Sequence, residues 1–144
     1  MRIMAVDYGD VRTGIAVSDA SLSLVGDAWV IRGKNIRDTA QAIVNEATLR
    51  DVSRIVVGYP RNMNGSIGPR AEKSERLAAL LCSLCDIESE LWDERLTTAN
   101  AHRILGETGR YGKKRKNTID AVAASLILEN YLAFLQRSKT NTKP

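Results

Sequence analysis

The sequence predicts an α/β fold, a five-stranded mixed sheet with helices on both faces. Three observations carry this. Two short apolar runs near the start are joined by turn residues, which reads as an antiparallel hairpin. Beyond them strands and amphipathic helices alternate, the pattern of parallel strands joined by crossovers. The first run, Ile3-Met4-Ala5-Val6, is apolar at consecutive positions, so both its faces are covered and it belongs at the sheet's centre.

The hairpin occupies residues 1–19, with Gly9 and Asp10 suited to the turn between Val6-Asp7 and Arg12 to Ser18. Residues 22–31 read as a third strand broken by a turn or bulge at Gly26-Asp27. Ile36, Ala40, Ile43, Val44 and Ala47 recur at helical spacing and predict a helix over 36–49. A buried-type strand over 53–58 stops at Gly58-Tyr59-Pro60, since proline cannot donate to a ladder. A polar loop leads to Pro69, suited to a helix's first turn, and Leu77, Leu80, Leu81 and Leu84 mark that helix's buried stripe. Residues 87–92 form a short strand ending at Asp93-Glu94-Arg95, and Thr97 or Thr98 can cap a helix over 99–105. A last helix is expected over 117–135, with Ile119, Val122, Ala123, Leu126, Ile127, Asn130, Tyr131 and Phe134 on one side. Residues 1–136 thus form one domain, and the polar residues 137–144 a flexible tail.

At 144 residues the chain is long enough for a real core, and 44% hydrophobic with 26% charged residues is an ordinary globular profile. No apolar run approaches the roughly 20 residues that span a bilayer, and no signal-peptide pattern precedes the first strand, so a cytoplasmic location is expected. Cys82 and Cys85 lie in a leucine-rich helical stretch. A redox pair belongs at a helix start after a strand, and a zinc site needs further ligands, whereas the one histidine is His102. Reduced, unpaired core thiols are the expectation. The net charge of +4 and pI near 9.3 suit a polyanionic partner, and the cations cluster at Arg110 and at Lys113-Lys114-Arg115-Lys116. Taken alone, that run also fits a solvated loop.

Acidic residues stand at three telling points: Asp7 ending the first strand, Asp93-Glu94 ending the last, and Asp120 in the first turn of the last helix. Singly, each has a structural explanation as a turn residue, a cap or a helix-dipole partner. Ligand sites of α/β sheets form beyond the carboxyl ends of parallel strands. Asp7 and Glu94 can meet there if their strands are parallel neighbours, and Asp120 can join if the last helix crosses that end. Three carboxylates without histidine or thiol are hard oxygen ligands for Mg²⁺ or Mn²⁺, and such a cluster suits phosphodiester cleavage.

In order along the chain, the motifs Val6-Asp7-Tyr8-Gly9 through Ser18-Asp19, Val57-Gly58-Tyr59-Pro60, Asn62-Met63-Asn64-Gly65, Gly68-Pro69-Arg70-Ala71, Asp93-Glu94-Arg95-Leu96-Thr97-Thr98 and Ile119-Asp120-Ala121-Val122 resemble those of the YqgF family. That family comprises pre-16S rRNA nucleases and Holliday-junction-resolvase homologues of the ribonuclease-H-like superfamily. The resemblance implies a ribonuclease-H-like fold and a metal-dependent nuclease site, with Asp7, Glu94 and Asp120 matching the family's acidic triad as catalytic and metal-binding residues. In that frame Arg12, Arg61, Arg70, Arg95, Lys113, Lys114, Arg115 and Lys116 lie around the acids and hold nucleic-acid phosphates. Aromatics make up only 5% of the chain, which favours backbone or shape recognition over base stacking. The function expected is processing of pre-16S rRNA ends. The alternatives are a branched-DNA resolvase or a non-catalytic nucleic-acid- or ribosome-associated module. A sugar-kinase-like ATPase is disfavoured, because the chain has room for only one such domain.

Overall fold

The structure is a computed structural model that describes residues 1–94 and 121–141. Its strands are β1 (Arg2–Asp7), β2 (Arg12–Ser18), β3 (Val25–Arg32), β4 (Val52–Tyr59) and β5 (Glu88–Asp93). Its helices are α1 (Ile36–Leu49), α2 (Pro69–Leu84) and α3 (Val122–Asn141). The sheet order is β3-β2-β1-β4-β5, so β1 is central. β1 pairs antiparallel with β2 and β2 with β3, whereas β1–β4 and β4–β5 are parallel. The mixed five-stranded sheet expected from the sequence is therefore present.

Alternation along β1 divides the core. Met4 and Val6 pack with Ile15, Ile43, Ile55, Val57, Leu77 and Leu81 beneath α1 and α2. Ile3 and Ala5 face the other way, into a second core of Val56, Trp92, Ala124, Ile127, Leu128 and Tyr131 beneath α3. Local chemistry sets the element ends. The Asn35 side chain accepts from the Asp38 N–H at 2.9 Å and starts α1, while Gly68 and Pro69 start α2. In the β1–β2 turn a Cβ on Gly9 would collide with the Arg12 carbonyl, so only glycine permits this close return.

Several details differ from the sequence expectation. β3 begins at Val25 rather than at residue 22. The Asp19 carboxylate accepts from the N–H groups of Ser23 and Leu24 and from the Ser21 hydroxyl, which folds that stretch into a turn with Leu22 at φ 60°. The bulge itself lies where expected, because Val17 pairs Asp27 and Ser18 pairs Val25, leaving Gly26 extra. In α2, Leu77 and Leu81 are buried but Leu84 is exposed, and so is Cys82, one residue round the helix from Leu81. Cys85 is half-buried, its thiol 3.3 Å from the Leu81 carbonyl, and both cysteines are free.

The face of α3 is also turned. Ala124, Ile127, Leu128, Tyr131 and Leu132 are buried, while Phe134 is 42% exposed. The start of this helix is apolar nearly all round, so periodicity cannot choose its inward face. Small Ala5 and Ala16 on the sheet share the core with Ala124 and admit the helix closely there. The helix also continues to Asn141, since Gln136, Arg137 and Lys139 favour helix and no proline intervenes before Pro144.

Candidate active site

The parallel strands β1, β4 and β5 end on the same side of the sheet. Ile3 and Ala5 belong to the α3-side core, so Asp7, two residues on, presents its carboxylate to that face. On β4, Val56 belongs to the same core and Gly58 follows at the same spacing. On β5, Trp92 does the same and precedes Glu94 by two.

Asp7 and Glu94 are not on neighbouring strands, contrary to the sequence expectation, because β4 stands between β1 and β5. Gly58 closes that gap. A Cβ built on it would stand 3.1 Å from Glu94 Oε2, 3.3 Å from Glu94 Cδ and 2.6 Å from Ile127 Cδ1. With no side chain at Gly58, the Glu94 carboxylate folds back over β4 toward Asp7.

The electrostatics match two carboxylates sharing a half-buried site. Burial raises the Asp7 pKa, and the Arg70 guanidinium, 3.9 Å from Oδ1, opposes the rise. Glu94 is pushed up to about 6, first by burial and then by the negative charge of Asp7; Arg70 opposes the rise and Asp93 adds to it. Glu94 Oε2 is buried with no hydrogen-bond partner among the described residues. Such an orphaned anionic oxygen is costly unless a cation takes it. An oxygen-only donor set with a vacant lone pair fits a hard divalent ion such as Mg²⁺ or Mn²⁺. Among the described residues no group of three or more His, Cys, Asp or Glu side chains is placed to hold a metal. Asp120 lies outside the described residues.

The cations separate by their surroundings. Arg12 opens β2 at the same sheet end as Asp7. Arg61 donates to the Gly65 carbonyl at 3.1 and 2.5 Å and lies 3.8 Å from Asp93, so it is built into the loop after β4. Arg70, 71% exposed, reaches the carboxylate pair directly. Arg95, Lys113, Lys114, Arg115 and Lys116 lie outside the described residues, as does His102. Sequence reasoning passed over Gly58 and Lys73. The signal for Gly58 was a glycine inside an otherwise β-branched strand, and for Lys73 a cation three residues after Arg70.

A profile described as "RuvX: Holliday junction resolvase" matches residues 1–134. A protein of Halothermothrix orenii named "Putative pre-16S rRNA nuclease" is 44% identical over 135 residues, 93% of this chain and 96% of its own length. A like-named protein of Desulfitobacterium hafniense is 40% identical over 145 residues, 99% of each chain. Among solved structures, T. thermophilus RuvC in complex with Holliday junction substrate superposes with a TM-score of 0.60 at 11% identity, covering 93% of this chain and 96% of that one. The fowlpox virus Holliday junction resolvase gives 0.54 at 12%, covering 95% and 99%. At such low identity these structures speak for the fold alone, which is the ribonuclease-H-like fold of resolvases. With its sheet order, its profile match and relatives of 40% identity or more along nearly its whole length, the chain belongs to the RuvX (YqgF) family of phosphodiester hydrolases.

Proposed function

We propose that this protein is a divalent-metal-dependent nuclease of structured nucleic acid that trims the ends of pre-16S rRNA in the cytoplasm. The observation that carries it is the carboxylate pair: the Glu94 carboxylate lies over Gly58, feels the charge of Asp7, and keeps a buried oxygen without a partner among the described residues. The RNA substrate is favoured because the individual relatives of about 40% identity bear that name, whereas the resolvase reading is supported by the profile's description and by fold likeness at 11–12% identity.

In this reading Asp7, Glu94 and Asp120 hold Mg²⁺ or Mn²⁺, which when bound activates water and offsets charge on the leaving oxygen. Asp7 sits at the end of the central strand, where a rigid scaffold fixes its carboxylate. Glu94 must lose its proton to serve as a ligand, so its raised pKa makes the site sensitive near neutral pH. Arg70 offsets the two negative charges and orients a phosphate beside them. Arg12, Arg61, Arg95 and Lys113 to Lys116 hold the backbone further out.

The test is incubation of a pre-16S rRNA precursor and a four-way DNA junction, each with Mg²⁺ and with chelator. Chelator-sensitive trimming of the RNA supports the proposal. Cleavage of the junction alone moves the assignment to a resolvase, and binding without cleavage of either moves it to a non-catalytic module.

A further inference from the structure

The first turn of α2 carries Arg70 and Lys73, three residues apart and so on one face. Both face the β1–β2 turn. Arg70 reaches Asp7 at 3.9 Å. Lys73 is taken up instead by Asp10, with Nζ 2.7 and 2.9 Å from the two carboxylate oxygens. Between these residues lies a hollow of about 110 Å³ lined by Tyr8, Gly9, Asp10, Arg70 and Lys73. At roughly 30 Å³ per water that is the space of three or four waters, room for one phosphate group. It adjoins Asp7, the residue before Tyr8.

The Lys73–Asp10 pair is open to water, its side chains 41% and 66% exposed. An exposed pair of this kind contributes about 0–1 kcal/mol. A phosphate bridging Lys73 and Arg70 makes charge-assisted bonds to both cations and so outcompetes one solvated carboxylate.

We infer that Arg70 and Lys73 form a seat for one nucleic-acid phosphate beside the carboxylate pair, and that Asp10 occupies Lys73 until a phosphate displaces it. The identity of the ligand rests on the nuclease reading; the seat itself rests on the two cations and the hollow. Asp10 then acts as a counterweight that keeps loose backbone binding weak.

The experiment is a double-mutant cycle on the full chain. Affinity for a fluorescent RNA duplex is measured in chelator, where no cleavage occurs, for wild type, Asp10→Asn, Lys73→Gln and the double variant across a salt series. Lys73→Gln should weaken binding and lower the salt slope by about 0.7–0.9. Asp10→Asn should tighten binding about two- to fivefold, and that gain should vanish in the Lys73→Gln background. Equal gains with and without Lys73 mean only a change in net charge, and the proposal is overturned; so is an unchanged or weaker Asp10→Asn. Lys73→Arg, which keeps the charge, should bind like wild type and separates loss of the seat from loss of folding. If wild type binds no RNA, the RNA-processing reading fails, and titration of ¹⁵N-labelled protein with inorganic phosphate decides the seat: shifts centred on Arg70 and Lys73 that grow in Asp10→Asn uphold it, and their absence overturns it.

Discussion

Gly58 and Glu94 are closely packed: a Cβ on Gly58 would stand 3.1 Å from Glu94 Oε2, near enough that the carboxylate would have to shift. That contact holds the Glu94 carboxylate over β4, where the negative charge of Asp7 on β1 is one cause of its raised pKa. Gly58→Ala should therefore act twice. It should strain the core against Ile127, whose Cδ1 would be 2.6 Å away, costing about 1–3 kcal/mol. It should also push the Glu94 carboxylate off its seat. Ile127→Val removes Cδ1 and relieves the first effect only. We expect Gly58→Ala/Ile127→Val to unfold near the wild-type temperature, yet to bind Mg²⁺ on the order of tenfold more weakly by calorimetry. Recovery of both stability and Mg²⁺ affinity would reduce Gly58 to a packing residue.

The raised pKa of Glu94 makes a stability prediction whose sign is opposite to that of a salt-bridged acid. Its folded pKa is about 6 against an ordinary 4.5, so between those values the folded state binds more protons than the unfolded one. Metal-free stability must then fall as pH rises through this window. The full shift corresponds to about 2 kcal/mol, and partial solvation of the carboxylate reduces that to about 1 kcal/mol. Urea unfolding from pH 4.5 to 7.5 should show the decline in wild type and a flatter profile in Glu94→Gln. Parallel profiles would mean that Glu94 is not held at a cost.

The fold was legible because its signals were local and agreed with one another. Consecutive apolar residues placed β1 inside, Gly9 marked the tight return, and Ala40, Ile43, Val44 and Ala47 gave the inward face of α1. What sequence could not reach was relative placement. Strand order put β4 between the two acids, and nothing in the spacing of Asp7 and Glu94 says which strand intervenes. The inward face of α3 depended on which small residues the sheet offered it. Leu22 to Leu24 are strand-like in composition, and a single Asp19 carboxylate drew them into a turn. The Lys73–Asp10 pair joins residues 63 apart, beyond the range of any motif.

The basic run from Lys113 to Lys116 tests how the chain holds a polyanion. Replacing all four cations with alanine should weaken binding to every sequence alike and flatten the dependence of affinity on salt, by about 0.7–0.9 in slope for each phosphate that is no longer neutralised. Filter binding at several salt concentrations reads both quantities. An unchanged slope would return the run to a solvated loop.

Asp7→Asn is the decisive substitution. The side chains are nearly isosteric, so the sheet should be undisturbed. Removing the Asp7 charge takes away one cause of the raised Glu94 pKa, which should fall below its present value of about 6, as ¹³C-detected titration can show. Metal-free stability should therefore stay the same or rise, because two negative charges no longer share a half-buried site. Cleavage should nevertheless be lost, by at least about a hundredfold, since the proposed ligand best fixed by the scaffold is gone. A less active protein of unaltered or greater stability is the signature of a site in which carboxylates are held together for metal rather than for folding. Full nuclease activity in Asp7→Asn, with contaminants excluded, would remove the acid pair from the chemistry and leave a nucleic-acid-binding module. A Glu94 pKa that does not move would show instead that the two carboxylates lie too far apart to share an ion.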